Sequence, residues 1–264
     1  QAMRQQLRLF LTAVQFFTRF PVPAWVGHSA RQLDQSARYF RLVGVCVGGL
    51  AALVLWLAAL VLPFSLAVVL SMLAGILITG AFHEDGLSDF VDGMGGGYTR
   101  EKILAIMKDS HVGAYGVIAI VLALLLKFQV LLALINTTRS VNLLAAALVA
   151  AHAVSRLMAV SIMLTQRYVR DDDSARAKHA AQSVSRTSFA IALLVGVAAI
   201  ALLPAAGAGI ASVASALACA LLLRFYLARL LRKKLGGYSG DCLGAVQQIT
   251  EIGFYLGLLA ALSL

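Results

Sequence analysis

Apolar stretches of 17 to 24 residues recur along the chain, separated by shorter polar segments. This alternation predicts seven membrane-crossing helices, at about 42–62, 65–81, 112–135, 141–164, 188–206, 210–230 and 243–264. Ahead of them, Leu7, Phe10, Leu11, Val14 and Phe17 fall at the i, i+3, i+4, i+7 spacing of an amphipathic helix. It is too short and polar to cross, is flanked by Arg4, Arg8 and Arg19, and is expected to lie on the membrane surface. Pro21 and Pro23 exclude helix immediately after it. The predicted fold class is therefore all-α: a polytopic transmembrane helix bundle of about seven spans plus an N-terminal interfacial amphipathic helix. Residues 1–264 read as one integral membrane domain, with polar loops at about 82–111, 165–187 and 231–242.

Composition agrees with lipid as the solvent. Only 13% of residues are charged and the mean hydropathy is +0.87, where a soluble domain carries roughly 25% charge. The net charge of +10 invites a nucleic-acid partner. Its distribution argues for topology instead, and no nucleic acid is expected. Of the 22 Lys and Arg, 19 fall in the N-terminal segment, the polar loops or 224–242, all on one side of a seven-span chain. Only Arg139 lies opposite, while Lys127 and Arg156 lie within spans. This bias puts the N-terminus and long loops in the cytoplasm. Cys46, Cys219 and Cys242 form no C-x-x-C pair and indicate no zinc site or disulfide framework.

The acids carry the candidate chemistry. Glu84, Asp85, Asp89, Asp92 and Asp109 account for five of twelve. Asp85, Asp89 and Asp92, spaced i, i+4, i+7, would share a helical face within about 60°. Carboxylates so grouped repel unless a cation lies between them, and hard oxygen donors suit Mg²⁺ or Mn²⁺. A solvated acidic loop is the plainer reading; it leaves the one-face spacing directly after a span unexplained. The run Gly93-Met94-Gly95-Gly96-Gly97 could turn backbone amides toward a phosphate. Thr99 is expected to cap a helix over about 100–109, with Arg100, Lys102 and Lys108 as nearby cations. Carboxylates for metal beside cations for phosphate are what phosphoryl transfer needs.

Intramembrane charges are costly and call for partners. Arg156 is read either as a phosphate ligand or as the ion-pair partner of Glu251. Lys127 is read as structural or as thinning the bilayer locally. Gln247, Gln248 and Glu251 give the last span a polar stripe expected to face the bundle. Asp241 in Gly236-Gly237-Tyr238-Ser239-Gly240-Asp241 either caps the last helix or joins the site. His83 and His111 flank the acidic segment as proton shuttles, substrate contacts or structural donors. His28, His152 and His179 give no functional signal, and the mixed charge of Arg170–Arg176 reads as a solvated loop, with substrate contact as the alternative.

Four segments, in order, resemble the cobalamin synthase (adenosylcobinamide-GDP ribazoletransferase) family. They are Phe17–Pro23, Phe82–Gly93, Ile106–Gly116 and Gly236–Ala245, with Ser155-Arg156 between the last two. Ser239 stands where that family often has Thr, and His111 where it often has Arg. The resemblance spans the chain and implies a reaction: adenosylcobinamide-GDP and α-ribazole, or its 5′-phosphate, are joined with release of GMP, using Mg²⁺ at the bacterial inner membrane. It implies Asp85, Asp89 and Asp92 as the Mg²⁺ ligands, with Glu84 or Asp109 assisting in catalysis. His83, Lys108, Arg156, Asp241, Gly95 and Gly96 would hold substrate or phosphate. Tethering to neighbouring cobalamin-assembly enzymes is a further expectation. Two other readings stay open. A CDP-alcohol phosphotransferase would need an Ala-Arg soon after Asp92-Gly93, where Met94-Gly95 stands. A cation transporter would spread acids over several spans, where only Glu251 is intramembrane.

Overall fold

A computed structural model describes residues 2–27, 29, 32, 35–36, 39–169 and 186–263, and of Ala2, Arg41 and 186–192 the backbone alone. His28, His179 and the segment Arg170–Arg176 lie outside the described residues. Ten α-helices are described: α1 Ala2–Phe17, α2 Phe40–Ala59, α3 Phe64–Thr79, α4 Phe82–Gly96, α5 Arg100–Lys108, α6 Ala114–Thr138, α7 Val141–Thr165, α8 Arg186–Ala205, α9 Ile210–Leu235 and α10 Gly240–Leu262. No strand occurs among the described residues.

Each of the seven predicted apolar segments is helical. Five helices (α2, α6, α7, α9 and α10) are long and apolar enough to cross a membrane, or six with α3 and α4 counted as one broken span. The shortfall from seven has two sources. At 16 residues, α3 is about 24 Å long, less than the roughly 30 Å hydrocarbon core. For α8, which runs Arg186–Ala205, side chains are described only from Leu193, and the apolar stretch among the described residues is Leu193–Ala205. Two polar regions expected as loops are largely helical. Residues 82–111 hold α4 and α5, and only 236–239 separate α9 from α10.

At the centre lies α7, buried on nearly every face. It packs on α2, α8 and α10, while α10 packs on α4, α6 and α9. The outer helices turn apolar rows outward, as a lipid-facing surface requires: Val117, Ile118, Val121 and Leu122 on α6, and Leu222, Phe225 and Tyr226 on α9. On α1, Leu9 and Ala13 are buried, and Ala13 packs against Phe40, Val43 and Val47 of α2. The polar stripe of α10 faces inward as expected, with Gln247, Gln248 and Glu251 all buried.

A sharp bend sets the position of α4. The axes of α3 and α4 meet at 87°. The turn is made by two consecutive left-handed residues, Gly80 at φ +63 and Ala81 at φ +58. Glycine takes that conformation freely, whereas for Ala81 it costs about 1–2 kcal/mol. The Phe17–Pro23 segment braces the bend. Arg19 N–H donates to Ile78 O at 2.7 Å, and the Arg19 side chain fills the space where a Cβ on Gly80 would lie.

Candidate active site

Along α4 the three spaced aspartates pass from water into the protein. Asp85 is exposed, Asp89 half-buried and Asp92 buried. Asp92 has a firm structural partnership. Its Oδ2 accepts from Gly113 N–H at 2.7 Å and its Oδ1 from Gly116 N–H at 2.8 Å. It thereby caps α6, whose N-terminal amides lack partners within their own helix. Gly116 makes this possible: a Cβ there would meet Asp92 and Ser88. The sequence pointed to Asp92 as a metal ligand; in the structure both its oxygens accept from amides at the start of α6.

A glycine crossing brings Asp241 to the acidic helix. A Cβ on Gly86 would come within 3.1 Å of Asp241 O, and one on Gly244 within 3.1 Å of His83 O. Their absence lets α4 and α10 touch backbone to backbone. Asp241 sits in the first turn of α10, half-buried. The N-cap position is Ser239, whose side chain makes no capping bond and instead contacts Cys242 Sγ at 3.3 Å, so Asp241 is not the N-cap residue. On the same crossing, Gln248 Nε2 donates to Glu84 Oε1 at 2.9 Å, while Glu84 Oε2 is buried without a hydrogen-bond partner.

Beyond the crossing lies a buried charge network. Lys127 Nζ is 2.6 Å from Glu251 Oε1. Glu251 also accepts from Gln247 Nε2 at 2.6 Å and from the Tyr255 hydroxyl at 3.2 Å. Arg156 Nη1 reaches His152 O and His152 Nδ1, each at 3.0 Å. Because Arg156 only donates, His152 Nδ1 accepts and its proton sits on Nε2, 3.7 Å from Glu251. Glu251 therefore takes Lys127, not Arg156, as its cation. The sequence registered each intramembrane charge but not this pairing, and missed His152 altogether; a lone Lys and a lone Glu in two spans were the available signal.

Two cavities meet at His83, Arg156 and Gln247. The smaller, of about 20 Å³, also touches Glu84, Lys127, His152 and Gln248 and has room for about one water. The larger, of about 240 Å³, is walled mainly by apolar side chains. His83 is buried, with its ring parallel to Phe17 at 6.0 Å between centroids. The sequence gave no notice of its aromatic lining, since Phe16 and Phe17, Phe40, Phe82, Tyr168 and Tyr238 come from five separate segments.

Other site candidates fall elsewhere. Asp109 ends α5 in the open, where its carboxylate accepts from His111 N–H at 3.0 Å and contacts His111 Nδ1 at 2.7 Å. The His111 backbone and ring bonds hold the Asp109 carboxyl below its usual pKa. Lys108 is exposed in the last turn of α5. Thr99 caps that helix as expected, accepting from Lys102 N–H at 3.3 Å. Gly95 and Gly96 do not form an open phosphate cradle. Both lie in the last turn of α4, with helical backbone. Gly95 is small because a Cβ would strike the Tyr115 ring.

For a divalent cation the residue chemistry fits in a restricted way. Among the described residues no three His, Cys, Asp or Glu side chains group as ligands of one ion. Mg²⁺ is commonly held by one or two carboxylates, with water and substrate phosphates completing its octahedron. Asp85 and Asp89, one helical turn apart and open to solvent to differing degrees, suit that arrangement.

A model of the cobalamin-5-phosphate synthase family matches residues 9–259. The chain belongs to this family. Cobalamin-5-phosphate synthase relatives named adenosylcobinamide-GDP ribazoletransferase include one from Leptothrix cholodnii, 49% identical over 98% of this chain and 97% of its own. Another, from Shewanella frigidimarina, is 46% identical over 97% of this chain and 95% of its own. No solved structure matches the chain significantly. The cobalamin-5-phosphate synthase match takes in α2 through α9, the acidic helix and the crossing at Gly244.

Proposed function

We propose that this protein joins adenosylcobinamide-GDP to α-ribazole, or to ribazole 5′-phosphate, and releases GMP. The observation that carries the reading is the acidic face of α4, set by the Gly86–Gly244 crossing beside a cavity lined by Arg156. The ribazole 3′-oxygen forms a bond to the phosphorus on the aminopropanol arm. The phosphoanhydride bond to GMP breaks, GMP keeps the bridging oxygen, and the hydroxyl proton passes to a base. Glu84 is the candidate base, supported by its Oε2 having no hydrogen-bond partner. Asp85 and Asp89 would hold Mg²⁺, which supplies charge neutralisation to the diphosphate. Arg156 supplies a cation at the cavity, and Asp241 borders the same face.

The Lys and Arg distribution supports a cytoplasmic site on a bacterial inner-membrane protein, facing the compartment where both substrates are soluble. Association with other cobalamin-assembly enzymes would shorten substrate transfer, and co-purification in mild detergent tests it. The reaction is tested in proteoliposomes. With both substrates and Mg²⁺, GMP and a cobalamin product should appear in equal amounts, stop on adding EDTA, and resume with excess Mg²⁺. Turnover unaffected by EDTA would overturn the metal assignment, and absence of product from folded protein would overturn the reaction.

A further inference from the structure

We infer that the 240 Å³ cavity between α1, α2, α4, α7 and α10 binds the flat aromatic base of the ribazole substrate. The inference rests on the reaction proposed above and adds to it a location and a recognition chemistry.

The walls set the class of ligand. Phe16, Phe17, Phe40 and Phe82, the pair Tyr168 and Tyr238, and Ala159, Val160 and Met163 of α7 line it. The phenylalanines pack edge to face, Phe17 on Phe40 at 4.5 Å and 79° and on Phe16 at 4.8 Å and 87°. Such rings present both edges and faces to a planar aromatic guest. Tyr168 and Tyr238 are held by a backbone bridge, with Tyr238 N–H donating to Arg167 O at 2.9 Å and Val169 N–H to Tyr238 O at 3.0 Å. Burial pushes the Tyr238 phenol pKa up, so that wall stays uncharged. An apolar space of this size is unfavourable for water.

The polar residues narrow the choice. His83, Arg156 and Gln247 border this cavity and the smaller one that reaches Glu84. Gln247 gives its amide hydrogens to Ser155 Oγ at 3.2 Å and Glu251 Oε2 at 2.6 Å, and its Oε1 is buried with no partner. A buried acceptor of this kind calls for a donor from a ligand. An acyl chain has none. Guanine has donors and acceptors around its edge, which walls of Phe, Ala, Val and Met would leave unsatisfied. A benzimidazole riboside divides as the cavity does: an apolar bicyclic base, then a sugar whose hydroxyls can meet Gln247 and extend toward α4.

Free 5,6-dimethylbenzimidazole should inhibit GMP release from wild-type proteoliposomes competitively with α-ribazole and not with adenosylcobinamide-GDP. Ala159→Phe, which fills part of the cavity, should raise KM for α-ribazole about tenfold or more and leave KM for adenosylcobinamide-GDP within about twofold. Met163→Ala should let the cavity take a riboside with one more fused ring. Inhibition competitive with adenosylcobinamide-GDP would assign the cavity to the nucleotide and overturn the inference. So would an unchanged α-ribazole KM in Ala159→Phe, with or without loss of a co-purifying lipid. If Ala159→Phe does not fold, the wild-type inhibition pattern decides. If wild type releases no GMP, the transfer reading fails on its own, and binding of the fluorescent base to wild-type protein decides the cavity.

Discussion

Lys127→Leu will destabilise the protein by about 3–5 kcal/mol, the cost of leaving a buried carboxylate without its cation. The Lys127–Glu251 contact is 2.6 Å long, and the Glu251 side chain is fully buried. Adding Glu251→Gln in the Lys127→Leu background should recover much of the loss. The neutral amide removes the unpaired charge; its one oxygen can still accept from Gln247, and its NH2 can donate to the Tyr255 hydroxyl oxygen. Recovery will be incomplete, because one of the two carboxylate oxygens that accept hydrogen bonds becomes an amide nitrogen. Denaturant unfolding in bicelles measures both. A single mutant as stable as wild type, or a double mutant worse than either single, would show that the pair is not held as described.

Asp92→Ala should cost about 3 kcal/mol, since its carboxylate receives two charge-assisted bonds from the first amides of α6. Asp92→Asn keeps one acceptor oxygen and should lose about half as much. The order separates two roles. A cap predicts that stability falls in the sequence Asp, Asn, Ala, with activity following stability. A metal ligand predicts that Asn and Ala abolish activity equally while the unfolding midpoint stays in place.

Much of the fold can be read from the sequence because membrane spans and amphipathic faces are local signals. The apolar segments became α2, α3 and α6 to α10, whereas α4 lies in a region read as a polar loop, where the Asp85, Asp89, Asp92 spacing only said that a helix would put the three on one face. What stayed hidden is non-local or rests on two dihedral angles. The 87° bend depends on Gly80 and Ala81 both turning left-handed, and an alanine does not announce that. The glycine run reads as an open loop until Tyr115 is seen against Gly95. Gln248 meets Glu84 across 164 residues and Lys127 meets Glu251 across two helices. Each of these charges and amides was visible as an oddity in a span, and none named its partner. The aromatic cavity is hidden most completely, since scattered Phe and Tyr residues are ordinary in a membrane protein.

The claim that phosphoryl transfer takes place on the exposed end of α4 is tested most directly by one comparison. GMP release is measured in Mg²⁺-containing proteoliposomes with saturating adenosylcobinamide-GDP and α-ribazole, for wild type and Asp85→Asn. Asp85 is exposed, so the substitution should leave the unfolding midpoint unchanged. Loss of a carboxylate that places charge on the diphosphate should lower the rate by about 10²-fold or more. A folded Asp85→Asn protein that releases GMP within about twofold of the wild-type rate would contradict the account, because an effect that small is far below what a group acting on the transition state contributes.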